Sequence, residues 1–557
     1  MKTIAGCFFG IGALLVAIDA AAQTLPPANA YMGPAGTATM HANAASSNAT
    51  TNRGPGSGAV SITGTSFDAV FPTILMGSDG MIVSVATKWT DRTPYVYLLN
   101  PTTLEPLATM RLVKSTTSDM AGGIYSYLDN NNRLVLVTAA GDLDRISYSQ
   151  QSSGTWSLNV ESTVSIGYPD VVGLVPDYQG RVWFATAQGT SGTSGAVVGY
   201  YDPATNQTSA YTLPAGEQVA NSISSSPSGV AVASTSALYL FQSGSSGPQQ
   251  LWRDAYDRGP ARKPGQLSWG TGATPAFFGP KTGYEYLTIT DNAYPQENIL
   301  VYNTTSGSLI GSVPFLISGT NSGNEDAAIA VGNSVYYPST YGYQYPQSAE
   351  SGTSIPASAP FVGGMQRVDV LPDGSGLISR WQSAVASAGE PRLSLADNLI
   401  YTIGLDTTTG TYSLVTVDPD TGVQVSSTPY GSSFGDNPLQ MVSMISPSGV
   451  LYQGTYAGIL RVEAIVPEPS TAALACGGIA WLAWRWRRRR CRRLGPARCA
   501  SSALMASSAG RSTDSCCRRK RNSPDTCGTR AGPCPPSRFR GSTTTRCPRR
   551  GTRRSRA

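Results

Sequence analysis

The 557-residue chain has almost no cysteine where most of its residues lie. Cys7 and Cys476 bracket residues 8–475, which have none, and the other seven cysteines follow Arg490. This stretch therefore carries no disulfide, no thiolate nucleophile and no Cys-based zinc site. Histidine is scarcer still. The single one, His41, falls in a low-complexity segment, which on sequence alone excludes His-ligated metals and His general bases from the main body. Positive charge is also thin. Residues 485–557 hold 22 of the 40 Lys/Arg but only Asp514 and Asp525 of the 34 acids, which leaves 1–484 with 18 basic and 32 acidic residues, a net −14. The overall +6 comes from a short tail, so nucleic acid is not an expected partner of the body.

Between about Ala59 and Ala464 a helical period is missing as well. Short Val/Ile/Leu/Tyr runs alternate with Gly, Asn, Asp, Ser and Pro turns, an all-β pattern. The pattern repeats. Asp68, Asp119, Asp170, Glu217, Thr271, Glu325, Glu390 and Asp436 each lead a unit, 46 to 65 residues apart. Inner turns such as Asp79-Gly80, Gln179-Gly180, Thr282-Gly283 and Ser448-Gly449 follow at similar offsets. The longest unit contains the Tyr/Ser/Pro-rich insertion Pro338–Pro360. Units of about 40–50 residues with four short strands predict a β-propeller of about eight blades, with seven as the alternative. The last unit is one strand short. The segment Ala59–Ile62 is expected to supply it, closing the ring and removing the exposed edges.

The flanks are read differently. Residues 1–22 have a positive start, a short apolar run and Ala20-Ala21-Ala22, the order of a secretory signal peptide. Residues 23–57 are Ala, Thr, Asn, Gly and Pro with few large apolar groups. They are expected to be a disordered linker, because such a composition buries too little surface to fold by itself. The propeller is expected over 58–465. Then come Pro467-Glu468-Pro469, a mainly apolar run from Thr471 to Trp484, and seven arginines within Arg485–Arg493. That run rises about 21 Å as a helix, a short membrane segment with a positive-inside stop. Residues 494–557 are rich in Arg and Cys without paired CxxC spacing and are expected to be a disordered tail.

The order over 466–493 resembles the PEP-CTERM sorting signal of Gram-negative bacteria. The resemblance implies export, a transient inner-membrane anchor, recognition of Pro467, Glu468 and Pro469 by an exosortase-type enzyme, and delivery to the cell surface or an exopolysaccharide matrix. Within the body, Asp177–Thr186 (DYQGRVWFAT) followed by Tyr201-Asp202-Pro203 resembles blades of streptogramin-lyase-like and sensor-type propellers. That family is implied to need a catalytic histidine, which the body lacks. Quinoprotein dehydrogenases are also eight-bladed, but their repeated Trp docking motif and adjacent cysteines are missing here.

The chemistry then rests on acids and one basic cluster. Residues just before an innermost strand lie at one channel mouth, so Asp170, Glu217, Glu325, Asp326, Glu390 and Asp436 are expected to form an acidic ring there. Oxygen-only ligands suit a hard cation such as Ca²⁺. Equally, each carboxylate can accept backbone N–H bonds or face water. Arg258, Arg262 and Lys263, near Trp252, Tyr256 and Trp269, are candidates for binding an acidic polysaccharide by charge and stacking. The favoured function is an exported, non-catalytic propeller binding a glycan, ion or protein. The alternative is a metal-dependent hydrolase or lactonase working at the acidic mouth.

Overall fold

The computed structural model describes residues 23–113, 124–189, 194–316, 321–345 and 353–465. The expected signal peptide, the sorting motif Pro467–Pro469, the apolar run after it and the basic tail lie outside the described residues. Among the described residues, no helix is long and apolar enough to cross a membrane.

The body is a ring of eight four-stranded antiparallel blades, a β-propeller. Blade 1 spans Ala69–Met76, Ile82–Lys88, Pro94–Leu99 and Pro106–Arg111, and the same order of hairpins repeats around the ring. The innermost strands of blades 2 to 8 begin at Tyr127, Val171, Ser224, Ala276, Ile329, Arg392 and Met444. Buried on both faces, the inner strands carry little alternation, whereas outermost strands such as Gln207–Thr212 alternate exposed and half-buried positions. That is the pattern expected when each sheet is covered by its neighbours near the axis and meets water at the rim. The eighth blade is completed by the chain's own N-terminal side. Val60–Ser66 pairs antiparallel with Gly458–Ala464, from Val60 opposite Ala464 to Ser66 opposite Gly458. The edge of the last blade is thereby filled, as the missing strand had implied.

Residues 23–57 correct the expectation of a disordered linker. The segment enters the central channel, turns, and leaves it again. At one face Thr24 donates its Oγ1 hydroxyl to Pro280 O at 2.9 Å. The chain then runs to a tip at Met40–Asn43 and returns to Gly54, whose N–H donates to Asp397 Oδ2 at 3.0 Å. On the way it bonds to the innermost strand of every blade. The N–H groups of Met76, Leu128, Ser225, Phe277, Ala330 and Leu393 donate to the carbonyls of Thr37, Ala38, Ala44, Ala45, Ser47 and Asn48. In blades 3 and 8 the amides of Asn29 and Asn52 donate to Pro176 O and Ile445 O. Ala49–Thr50 even joins blade 7 as a parallel partner of Leu393–Ser394.

The physical reason is the width of the channel. Two strands of chain fit side by side only if their side chains are small, and Ala38, Ala42, Ala44, Ala45 and Ala49 are all fully buried. Gly36, at φ +97°, makes the same point, because a Cβ there would collide with the Thr50 side chain. A composition too poor in apolar bulk to build a core can still fill one that eight blades have already enclosed.

Candidate functional site

The connections that lead into the innermost strands define one mouth of the channel, and the tip of the inserted segment reaches it. His41 stands there, buried, with Nδ1 3.0 Å from Glu390 Oε1 and Nε2 3.4 Å from Thr274 Oγ1. Asn48 Nδ2 donates to the same Glu390 oxygen. Two residues on, Arg392 donates from Nη2 to Met40 O at 2.5 Å and from Nε to Ser443 O at 3.1 Å. Burial pulls its guanidinium down to about 10, against the opposing pull of the Glu390 charge. The exclusion of histidine from the body is thus overturned. The one histidine is carried into the mouth by a segment whose composition had read as a linker.

Glu325 and Asp326, on the approach to blade 6, face the same region. Glu325 Oε1 accepts from Ser268 Oγ at 3.3 Å and Asn221 Nδ2 at 3.4 Å, while its Oε2 has no hydrogen-bond partner among the described residues. Burial pushes its carboxyl up to about 7. Asp326 is only 2% exposed and its Oδ2 has no such partner either. Burial first, then the charges of Glu390 and Glu325, hold its carboxyl well above the usual range. From the described part of the Tyr-rich insertion of blade 6, Tyr343 reaches this mouth. The Tyr343 hydroxyl donates to Asn437 Oδ1, and Tyr343 packs edge-on against Tyr345 at 4.9 Å and Phe361 at 5.4 Å. Beside His41 remains a cavity of about 10 Å³, lined by Met40, Tyr125, Ser126 and Ser222 among others, room for about one water.

The other expected members of the ring are engaged elsewhere. Glu217 is buried within blade 4, accepting from Arg253 Nη2 at 2.6 Å, Tyr239 OH at 2.7 Å and Ser234 Oγ at 2.5 Å. Asp436 sits in the 3₁₀ turn Phe434–Asp436, where its Oδ2 accepts from Ser433 N at 2.8 Å and Oγ at 2.7 Å, a capping box. Asp170 is exposed, with φ +58°. The structure therefore gathers Glu325, Asp326 and Glu390 and disperses Asp170, Glu217 and Asp436. Among the described residues no three Asp, Glu, His or Cys side chains lie close enough to share an ion. Ca²⁺ needs six to eight oxygens, and the gathered acids do not make that cage.

The basic cluster also separates. Arg258 lies over the Trp269 ring at 3.6 Å, which covers the face a sugar would use. Arg262 Nη1 donates to Gln266 O at 3.0 Å. Lys263 is 1% exposed, with Nζ donating to Ala293 O at 2.6 Å and lying 3.5 Å from Glu297 Oε1. Its expected role as a surface contact for polysaccharide is corrected: the ammonium closes a buried pair.

The raised carboxyls set a pH dependence. A folded-state pKa above the unfolded one adds stability that is full below the unfolded value, near 4.5 for Glu325, and is lost as pH rises through about 7. The melting temperature should therefore fall between pH 5 and pH 8.5. Glu325→Gln combined with Asp326→Asn should flatten that slope, removing on the order of 2 kcal/mol of pH-dependent stability. Scanning calorimetry of both proteins across the window checks it. A parent slope of zero, or one unchanged in the variant, would count against the assignment.

No protein-family model matches the chain, and no curated protein matches it in sequence. Among solved structures, a streptogramin B lyase aligns with 72% of this chain and 97% of its own at 10% identity, TM-score 0.35. The Dos1 propeller aligns with 73% and 94% at 7% identity, TM-score 0.42. A provisionally assigned 6-phosphogluconolactonase from Bacteroides fragilis aligns with 64% and 95% at 11% identity, TM-score 0.33.

Proposed function

We propose that the chain is an exported, non-catalytic propeller, displayed at the cell surface or in an extracellular matrix, that binds through its outer surfaces. One observation carries the reading: the central channel, a usual ligand space in such rings, is filled by the chain's own residues 24–53, bonded to all eight inner strands. Of the mouth acids, Glu390 is committed to that packing, because it anchors His41 and Asn48. The address rests on the sequence, where the resemblance of 466–493 to a sorting signal implies an exosortase-type partner and a surface or polysaccharide-matrix destination.

A second reading, a hydrolase, draws on a different observation. Glu390, His41 and Thr274 form a carboxylate–imidazole–hydroxyl chain, the order of groups that activates a hydroxyl nucleophile. The two readings part in one assay. The full-length protein is incubated with a panel of lactones and simple esters, beside the His41→Gln variant. The display reading expects no turnover above background in either. Saturable turnover by the parent that the variant loses would reject it in favour of the hydrolase.

A further inference from the structure

A second region of the molecule, away from the channel, is open and unassigned. At the ring-closure seam a groove of about 410 Å³ lies between the outermost strand of blade 7, Gln424–Gly431, and that of blade 8, Val60–Ser66. Its lining includes Val60, Ile62, Thr428, Tyr430, Leu460 and Asp436. The volume falls in the usual range for small-molecule sites. The 3₁₀ turn that supplies Asp436 also supplies Phe434, which is 55% exposed. Phe434 meets Tyr456 edge-on at 4.5 Å, and Tyr456 stacks on Trp89 at 5.2 Å with 16° between planes.

This aromatic group is held rigidly. The Trp89 indole donates to Tyr456 O at 2.8 Å, Tyr456 N–H donates to Asn437 O at 2.8 Å, and Ala457 N–H donates to Gly435 O at 3.0 Å. The Ser433–Asp436 capping box fixes the turn beneath Phe434. A half-exposed phenylalanine on a capped turn, backed by two stacked rings, gives a pre-organised apolar face that loses little entropy on binding. Beside it, Asp436, with one oxygen turned to Ser433, retains acceptor capacity for hydroxyl donors. Flat apolar faces edged by carboxylate and hydroxyl groups match the alternating C–H faces and O–H edges of a sugar chain. The net −14 of residues 1–484 opposes a polyanion.

We infer that the seam groove and the Phe434–Tyr456–Trp89 face bind a neutral glycan chain. This rests on the display-and-binding reading above and supplies its ligand class. The test is affinity electrophoresis of the full chain through gels carrying dextran, galactomannan or a β-glucan, with alginate as the acidic control. At least one neutral gel should retard the protein and alginate should not. Phe434→Ala and Asp436→Asn should each weaken retardation about tenfold, and Phe434→Trp should preserve it, with circular dichroism confirming that each variant folds. Retardation by alginate alone, or by no gel, would overturn the inference. So would neutral-gel retardation that survives Phe434→Ala and Asp436→Asn, and that result would leave the broader binding reading standing.

Discussion

Deleting residues 24–53 while keeping the closure strand Val60–Ser66 should lower the melting temperature by roughly 5–10 °C. The deletion strips acceptors from the N–H groups of Met76, Leu128, Ser225, Phe277, Ala330 and Leu393, all on inner strands. Several of those strands are only two or three residues long. Strands this short hold few ladder bonds of their own, so the bonds to the inserted segment are a large share of what ties them to the axis. Water entering the vacated channel replaces part of each bond, which is why the net loss per bond is about 1 kcal/mol rather than the full cost of an orphaned donor. Calorimetry of the deleted and parent proteins checks the effect, and a difference under about 3 °C would mean that the segment merely occupies space.

The second large effect is expected at Glu390. Its Oε1 serves His41 and Asn48 at once, and its charge faces the buried Arg392. Glu390→Ala removes the acceptor and the counter-charge together in a region that water reaches poorly, and breaking such a buried arrangement from one side costs about 3–5 kcal/mol. Glu390→Gln retains an acceptor oxygen and should lose less than half of that. Denaturant unfolding of both variants measures the difference. Equal losses would show that His41 and Asn48 find other partners.

Much of the architecture was legible because it is written locally. The inner turns mark hairpins: Gly80, Gly180, Gly283 and Gly449 all take positive φ, the conformation such turns ask of glycine. The missing last strand told how the ring closes. Two things were not legible. Residues 23–57 lack apolar bulk, and nothing local reveals that eight other segments enclose them, so no local signal places His41 inside the ring. The acidic ring was legible only as backbone register. Asp170, Glu217, Glu325, Glu390 and Asp436 stand one, seven, four, two and eight residues before their inner strands. At such different offsets the side chains point different ways, and of these acids it is Asp326, beside Glu325, that feels the charges of both Glu390 and Glu325. Lys263 misled for a related reason, since its partner Glu297 lies 34 residues further on, in the next blade.

Amide hydrogen exchange of the full chain at residues 37–50 shows whether the N-terminal segment is an integral filling of the channel. Protection comparable to that of the inner strands is expected, because Thr37, Ala42, Ser46 and Asn48 donate within the segment and the residues between them are sealed from water by the ring. Exchange of these amides within seconds, at the rate of an unstructured peptide, would contradict it.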